Sequence, residues 1–444
     1  MAALLREPGL NPILAGEHIL ARAGDAFTRR LDPRSSAPLA IGVSGGGDSL
    51  ALLLAAAAWS RRVGRGVLAL SVDHGVQPAG ALWSRDICLT AASLGVEARI
   101  LRWTDAKPST GLPAAARAAR HRLLADAARG AGARVLLLGH TRDDVEEGVL
   151  MRQEGSTLGT PQEWAPSPAW PEGRDLFLLR PLLGMGRAEL RVLLADSGLP
   201  WIEDPANDDL KYARARARRA LEGARRRTAL EPHPLRPSGP PPPHAGEDDL
   251  AALAIVHPSG MISIPRDALI SAPPDAARRF LMMACLCAGG GERPPRGERA
   301  AALLARIAAG EAFTATLAGA RVAAGDEVLI AREAGEAERG GLTPLRLPVG
   351  EPVVWDGRFA AVAAVEGLTI APLRGQAARL PAAERERLKK IPALARPGLP
   401  VILSDGELVT CPMLAWSAQA RLRRLVGRRL LAACSGSIAS ESQL

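Results

Sequence analysis

Ser44-Gly45-Gly46-Gly47-Asp48-Ser49 sets three glycines and two hydroxyls around a single carboxylate. The glycines let the backbone turn sharply and aim consecutive N–H groups at an anion. A helix opening behind them would add partial positive charge. That is the make-up of a phosphate cradle. It is not a Walker A loop, because the GK[ST] ending and its lysine are missing, and it is out of register for the G-x-G-x-x-G dinucleotide pattern. Asp48 narrows the chemistry. A carboxylate beside phosphates is repulsive unless a divalent cation lies between them, so this acid points to Mg²⁺ bound together with a phosphate ligand. The plainer alternative is a glycine turn with Asp48 as a helix cap. Two further motifs carry ligand-type residues: Asp73-His74-Gly75, and Gly139-His140-Thr141-Arg142-Asp143-Asp144-Val145-Glu146-Glu147. Asp144 and Glu147 are three apart and so share a helical face. Asp48 and Asp144 can share one metal, although acids in a first helical turn can equally serve the helix dipole. His140 suits contact with a phosphate or a reacting carbonyl, or a structural hydrogen bond alone. Taken together, the three motifs read as a nucleotide–Mg²⁺ site.

The elements that must position these residues alternate in type. Pro38 to Val43, Val67 to Val72, Glu97 to Trp103 and Arg134 to Gly139 are short apolar runs with the length of buried strands. Between them, Ser49 to Ser60, Ala81 to Leu94 and Pro113 to Arg129 carry helical patterning rich in Ala and Leu. This alternation implies a Rossmann-like α/β fold, a parallel sheet with helices on both faces. Ligands of such sheets bind beyond the carboxyl ends of the strands, where all three motifs fall. Gln153 to Arg174 lacks periodicity and reads as a loop over the site, while helical patterning returns at Gly186 to Ser197 and from Asp208 to about Arg226. The expected organisation is a helical extension (1–36), a nucleotide-binding domain (37–228), a Pro-rich linker (229–249), a mostly helical middle domain (250–335) and a small, basic, strand-leaning domain (342–444). Within the middle domain, helices are expected at Pro274 to Cys287 and Gly297 to Ala309, and a strand pair across Leu317 to Ile330.

Composition sets the outer limits. The 444 residues exceed what one hydrophobic core usually serves. The apolar stretch from Leu50 to Trp59 is far shorter than the roughly 20 residues that cross a bilayer. No secretory leader is visible either, so the expectation is a cytoplasmic protein without a membrane partner. Five scattered cysteines argue against a disulfide framework or a CxxC metal site. Of the net charge of +9, little lies in residues 1–250, with 32 basic and 29 acidic groups. Residues 379–444 hold 11 basic and 5 acidic groups. Such a skew suits a polyanion, and guanidinium forks suit phosphates.

SGGGDS resembles the SGGxDS loop of the N-type (PP-loop) ATP pyrophosphatases. Within that group the chain is similar to the tRNA(Ile)-lysidine synthetases, on VDHGVQPAG (72–80), ARAARH (116–121), GHTRDDVEE with LMR (139–152), RPLLGMGRAEL (180–190) and WIEDPANDDLKYARARAR (201–218). The match covers most of 38–220, with weaker likeness in 290–333 and 353–359, and the expectation is that 250–335 binds substrate and that the basic 342–444 domain binds the tRNA. The resemblance implies that Ser44, Gly45, Gly46, Gly47, Asp48, Ser49 and Asp73 bind ATP, with Asp48 and Asp144 near Mg²⁺. It implies that Arg117 and His140 stabilise charge on the phosphate or the adenylated base, and that Arg214 and Arg218 contact ATP or the intermediate. The implied reaction adenylates the wobble cytidine of a CAU-anticodon isoleucine tRNA at its carbon-2 oxygen. Lysine then displaces AMP, and decoding changes from AUG to AUA. Several positions depart from the family pattern: Thr141 for a second His, Val145 for Gln, Gly148 for Thr, Ala215 for Asn and His121 for Tyr.

Two alternatives fit the same residues: a tRNA sulfur transferase using the same adenylation, and a non-catalytic RNA-binding protein on a degenerate ATPase scaffold. Thiolation needs a reactive Cys or a CxxC iron–sulfur site, and no cysteine lies in the strand-end motifs. Seven Arg within 214–227 and five within 421–429 are candidates for tRNA phosphates or for solvated helical faces. With one Tyr, five Phe and dispersed Trp, RNA recognition is expected mainly from shape and polar contacts. The oligomeric state stays open, a homodimer included.

Overall fold

The computed structural model describes residues 12–76, 79–156, 159–204, 209, 211, 213–228, 247–335, 341–434 and 438–444. The chain forms two compact units, one of residues 1–241 with 439–444, the other of residues 242–438.

In the first unit the apolar runs become the strands β1 (Leu39–Gly42), β2 (Val67–Asp73), β3 (Glu97–Arg102), β4 (Val135–Leu138), β5 (Trp164–Pro166) and β6 (Phe177–Leu179). They lie in the order β3-β2-β1-β4-β6-β5, parallel except for the β5–β6 pair. The helices are α1 (Pro12–Arg30), α2 (Gly47–Val63), α3 (Gly80–Ser93), α4 (Leu112–Gly130), α5 (Arg142–Gln153), α6 (Arg187–Asp196) and α7 (Ala213–Thr228). Period-two alternation assigns each strand residue a face. Leu39, Ile41, Val135 and Leu137 join the core that also holds Leu52 and Leu53 of α2 and Leu190 and Leu194 of α6. Ala40, Leu136 and Leu138 join Leu124, Ala125 and Ala128 of α4 on the other face. Helix α1 belongs to the first of these cores through Ile19, Ala23 and Phe27, whose ring meets Trp59 at 5.5 Å.

The stretch Gln153 to Arg174, expected to be a loop, contains the edge strand β5. A three-residue strand whose neighbours include two prolines leaves no periodicity to read. Residues 439–444 complete the unit from far along the chain: Arg65 donates to both carboxylate oxygens of Glu441, at 2.7 and 2.6 Å, and the pair is fully buried. The backbone N–H of Asp32 also reaches Glu441, at 3.0 Å.

Among the described residues the second unit holds three antiparallel sheets. The largest has five strands in the order Ile255–Val256, Ile262–Pro265, Glu327–Arg332, Ala320–Ala324 and Phe313–Leu317, with the helices Pro274–Ala288 and Gly297–Ala308 sharing its core. This is more strand than the single expected pair, because the three further members, Ile255–Val256, Ile262–Pro265 and Phe313–Leu317, are only two to five residues long and too short to show a clear alternation. A four-stranded sheet (Leu345–Arg346, Leu368–Pro372, Pro400–Ser404, Glu407–Thr410) and a three-stranded one (Val353–Trp355, Phe359–Ala363, Ala420–Arg424) follow. Residues 229–246, most of the expected linker, lie outside the described residues, and a helix begins at Glu247. Among the described residues no helix is long and apolar enough to cross a membrane.

Candidate active site

The glycine loop leaves β1 and enters α2, with Gly46 as N-cap and Asp48 in the first turn. Ser49 shapes it: its Oγ donates to Gly46 O at 2.8 Å and accepts from Ser44 N at 3.2 Å. The Ser44 and Ser49 hydroxyls lie 3.2 Å apart. Gly45 is left-handed at φ +83°, and a Cβ there would stand 2.4 Å from Ile202 Cδ1. Ile202 N in turn donates to Gly45 O at 2.9 Å, so the 201–204 segment braces the loop. A Cβ on Gly139 would meet the Asp48 carbonyl oxygen at 3.0 Å, and this is how β4 brings its own strand end against the loop. Among the described residues, the N–H groups of Gly45, Gly46, Gly47 and Asp48 donate to no protein acceptor.

The next strand end supplies the acids. Thr141 caps α5, and both its N–H and its hydroxyl reach Asp144 Oδ2, at 2.7 and 3.0 Å. Thr141, one of the departures from the family pattern, therefore fixes one oxygen of Asp144 and leaves Oδ1 facing the cluster. Arg187, first residue of α6, donates from Nη2 to Asp144 Oδ1 at 2.7 Å, from Nε to Asp48 Oδ2 at 3.2 Å, and from Nη1 to Glu147. Arg214 and Arg218 of α7 reach the same acids. Arg214 Nε donates to Glu147 Oε2 at 2.8 Å, and Arg218 Nε to Glu147 Oε1 at 3.0 Å. Arg214 also pairs with Asp144. Farther along α7, Arg225 donates to Asp143 at 2.8 Å and to Glu146. Part of the basic run 214–227 is therefore spent on the acidic face of α5.

Electrostatics follow the geometry. Burial raises the Asp48 carboxyl above its ordinary range; Arg187 opposes this, while Asp144 and Asp143 reinforce it. Burial also works against Glu147, but hydrogen bonds from Arg187 and Arg214 prevail and hold it below the usual carboxylate range. Asp48 and Asp144 already converge on one cationic group, so a divalent cation fits their chemistry.

Beside the acids lies a group of cations. Arg117 and Arg120, three apart on α4, make no hydrogen bond or ion pair among the described residues. Burial and the charge of Arg117 push Arg120 down to about 10, and burial and Arg214 lower Arg117. His140 accepts from Arg180 Nε at its Nδ1, 3.2 Å away, so the ring proton sits on Nε2. Burial, then Arg180 and Arg117, hold His140 at about 2, and burial with Arg120 holds His121 at about 3. Both imidazoles are neutral at physiological pH. Two adjacent guanidiniums without an ion-pair partner among the described residues and a neutral N–H donor make a site for oxyanions.

The structure thus gathers the loop 44–49, Asp144, Arg214 and Arg218 at one end of the sheet, with His140 at the end of β4 and Arg117 electrostatically coupled to Arg214 and Asp144. Asp73 stands at the end of β2, where its Oδ1 accepts from Gly75 N at 2.9 Å, and it joins no ion pair of the acid cluster. Sequence reasoning missed Arg120, Arg180 and Arg187. Arg180 directly follows β6, so the strand-end rule that found the other motifs would have found it had the three-residue strand been legible.

Residues 19–224 match the family model described as PP-loop domain. The chain is 52% identical over 415 residues to the tRNA(Ile)-lysidine synthase of Caulobacter vibrioides, covering 92% of this chain and 96% of that one. It is 36% identical over 304 residues to that of Hyphomonas neptunium (65% and 79% covered) and 33% over 399 residues to that of Brucella anthropi (82% and 85%). On this identity and coverage, with the glycine loop and its acids in place, the chain belongs to the tRNA(Ile)-lysidine synthase family.

Proposed function

We propose that this protein ligates lysine to carbon 2 of the wobble cytidine of a CAU-anticodon isoleucine tRNA, in the cytoplasm, with ATP converted to AMP and pyrophosphate. The observation that carries the reading is the meeting of open loop N–H groups, the Asp48–Asp144 pair and the unpaired Arg117 and Arg120 at one sheet end. Each serves a polyphosphate. The loop N–H groups hold its oxygens, the arginines balance its charge, and Asp48 and Asp144 would hold Mg²⁺. That ion supplies charge neutralisation on the phosphates when bound.

In the first step the carbon-2 oxygen of cytidine attacks the α-phosphorus, and the bond to the bridging oxygen breaks as pyrophosphate leaves. Arg117 and Arg120 offset the charge that accumulates on the phosphate oxygens. His140, neutral and held by Arg180, offers its Nε2 proton as a hydrogen bond without acting as an acid. In the second step the lysine side-chain amine attacks carbon 2, the carbon–oxygen bond to AMP breaks, and the nitrogen loses a proton. Arg214, paired with Glu147 and Asp144, and Arg218, paired with Glu147, contact ATP or the adenylated intermediate in this reading.

The thiolation alternative finds less support. Cys285, Cys287 and Cys411 are buried, and burial pushes Cys287 up to about 11 and Cys411 up to about 12, away from reactive thiolates. Purified protein with Mg²⁺, ATP, labelled lysine and the isoleucine tRNA transcript should release AMP and yield lysine-bearing RNA, and an anticodon-changed transcript should not. Sulfur transfer, or RNA binding with no lysine incorporated, would remove the proposal. Asp48→Asn should abolish incorporation with the fold intact, and near-normal turnover would overturn the role of Asp48.

A further inference from the structure

Of the dispersed tryptophans, Trp416 is no part of a core: it is 85% exposed, more than any other large apolar side chain among the described residues. It stands in the connection 411–419, which is firmly held. Cys411 and Leu414 are buried with Leu373, Leu388 and Val401. Glu384 of the helix Ala382–Lys389 accepts from Thr410 Oγ1 at 2.8 Å and from Cys411 N at 2.7 Å. Arg387 of the same helix donates to Leu414 O at 2.6 Å. An indole presented to solvent on a rigid loop loses little conformational entropy on binding, and its exposure costs the free protein solvation.

The surroundings select the partner. The anchoring helix exposes Arg385, Arg387 and Lys389, with Lys390 directly after it, and its one exposed acid, Glu386, accepts from Lys389 Nζ at 2.7 Å on the surface. The strand Ala420–Arg424, which begins four residues after the indole, turns Arg421 and Arg423 outward. A rigid aromatic plane among cations fits a single-stranded or loop nucleotide, whose base stacks while its phosphates meet the basic groups. A second protein copy fits less well, because the like charges of two such surfaces would repel.

We propose that Trp416 is an RNA contact of this protein, stacking on an unpaired base of the tRNA while Lys389, Lys390 and Arg421 take its phosphates. The proposal rests on the tRNA reading above and adds a base-stacking contact remote in sequence from the adenylation residues. The test uses the full chain, because truncation at this region also removes Glu441, the buried partner of Arg65 in the first unit. Binding of the isoleucine tRNA is measured against salt for wild type, Trp416→Ala, Trp416→Phe and Lys389→Ala/Lys390→Ala, with ATP affinity and lysine incorporation at saturating tRNA alongside. Trp416→Ala should raise Kd about tenfold with an unchanged salt slope, and Trp416→Phe should retain most of the affinity. The double lysine variant should flatten the slope by up to about 2. ATP affinity and saturated turnover should stay at wild-type values. Unchanged tRNA affinity in Trp416→Ala, while wild type still incorporates lysine, overturns this contact and leaves the proposed function standing. A change in sedimentation with no change in RNA binding overturns it in favour of contact between copies.

Discussion

Glu147 is the residue on which the electrostatic account is most exposed to test. Its side chain is 1% exposed and carries four hydrogen bonds from three guanidiniums, those of Arg187, Arg214 and Arg218. Replacing it with Gln keeps the volume and removes the charge. Arg187 retains Asp48 and Asp144, and Arg214 retains Asp144, but Arg218 has no other acid among its described partners. Breaking a buried ion pair by removing one partner costs about 3–5 kcal/mol. The surviving contacts of Arg187 and Arg214 place Glu147→Gln near the lower end, about 3 kcal/mol, a large share of a typical domain's stability. Denaturant unfolding with hydrogen exchange on α5 and α7 reads the loss where it should occur. The pH dependence supplies a sign. Because the folded-state carboxyl lies below its unfolded value, its stabilisation is present above about pH 4.5 and is lost as pH falls through the folded pKa. The wild-type advantage should therefore hold at pH 6–8 and shrink in acid. A loss below about 0.5 kcal/mol at pH 7, or one unchanged at pH 3, would refute the picture of a desolvated, ionised Glu147.

Other predictions address the loop and the imidazoles. Gly45→Ala meets both a left-handed φ and Ile202 Cδ1 at 2.4 Å, so it should lose about 1–3 kcal/mol and weaken ATP binding at least about tenfold. Adding Ile202→Val should recover the steric share alone, and full recovery in the unfolding midpoint would show that φ is unimportant. His121 and His140 bind fewer protons folded than unfolded between their depressed values and about pH 6.5, so stability must drop as the pH is lowered through that window. At pH 5.5 the two together should remove about 2–3 kcal/mol relative to pH 7.5, and a flat unfolding midpoint would contradict their burial.

Strands β1 to β4 were legible to within a residue or two: β1, β2 and β4 as short, largely buried apolar runs, and the partly exposed edge strand β3 by its place in the strand–helix alternation. Strands β5 and β6 were not, since three residues hold no period. With β6 unseen, Arg180 and Arg187 appeared only as part of a motif, without an address. The acids at the site were legible from type and spacing, whereas their arginine partners were not. A pairing between two helix starts such as Arg187 with Asp48 joins residues 139 apart in sequence. Trp416 escaped for the opposite reason: hydrophobicity alone argues for burial, and only the structure shows the indole outside.

Glu441 gives the first unit a timetable as well as a shape. Arg65 is made early in synthesis, yet the carboxylate it needs lies 376 residues later. Until residue 441 has left the ribosome, the nascent unit holds a guanidinium whose designed site is buried and whose counter-charge does not exist. Closing around Arg65 in that interval would leave the guanidinium the carbonyls of Ala37 and Asp32 but no counter-charge. Completion of the nucleotide-binding half is thereby coupled to synthesis of nearly everything that follows it. A fragment cut between the two units would leave this position permanently unfinished.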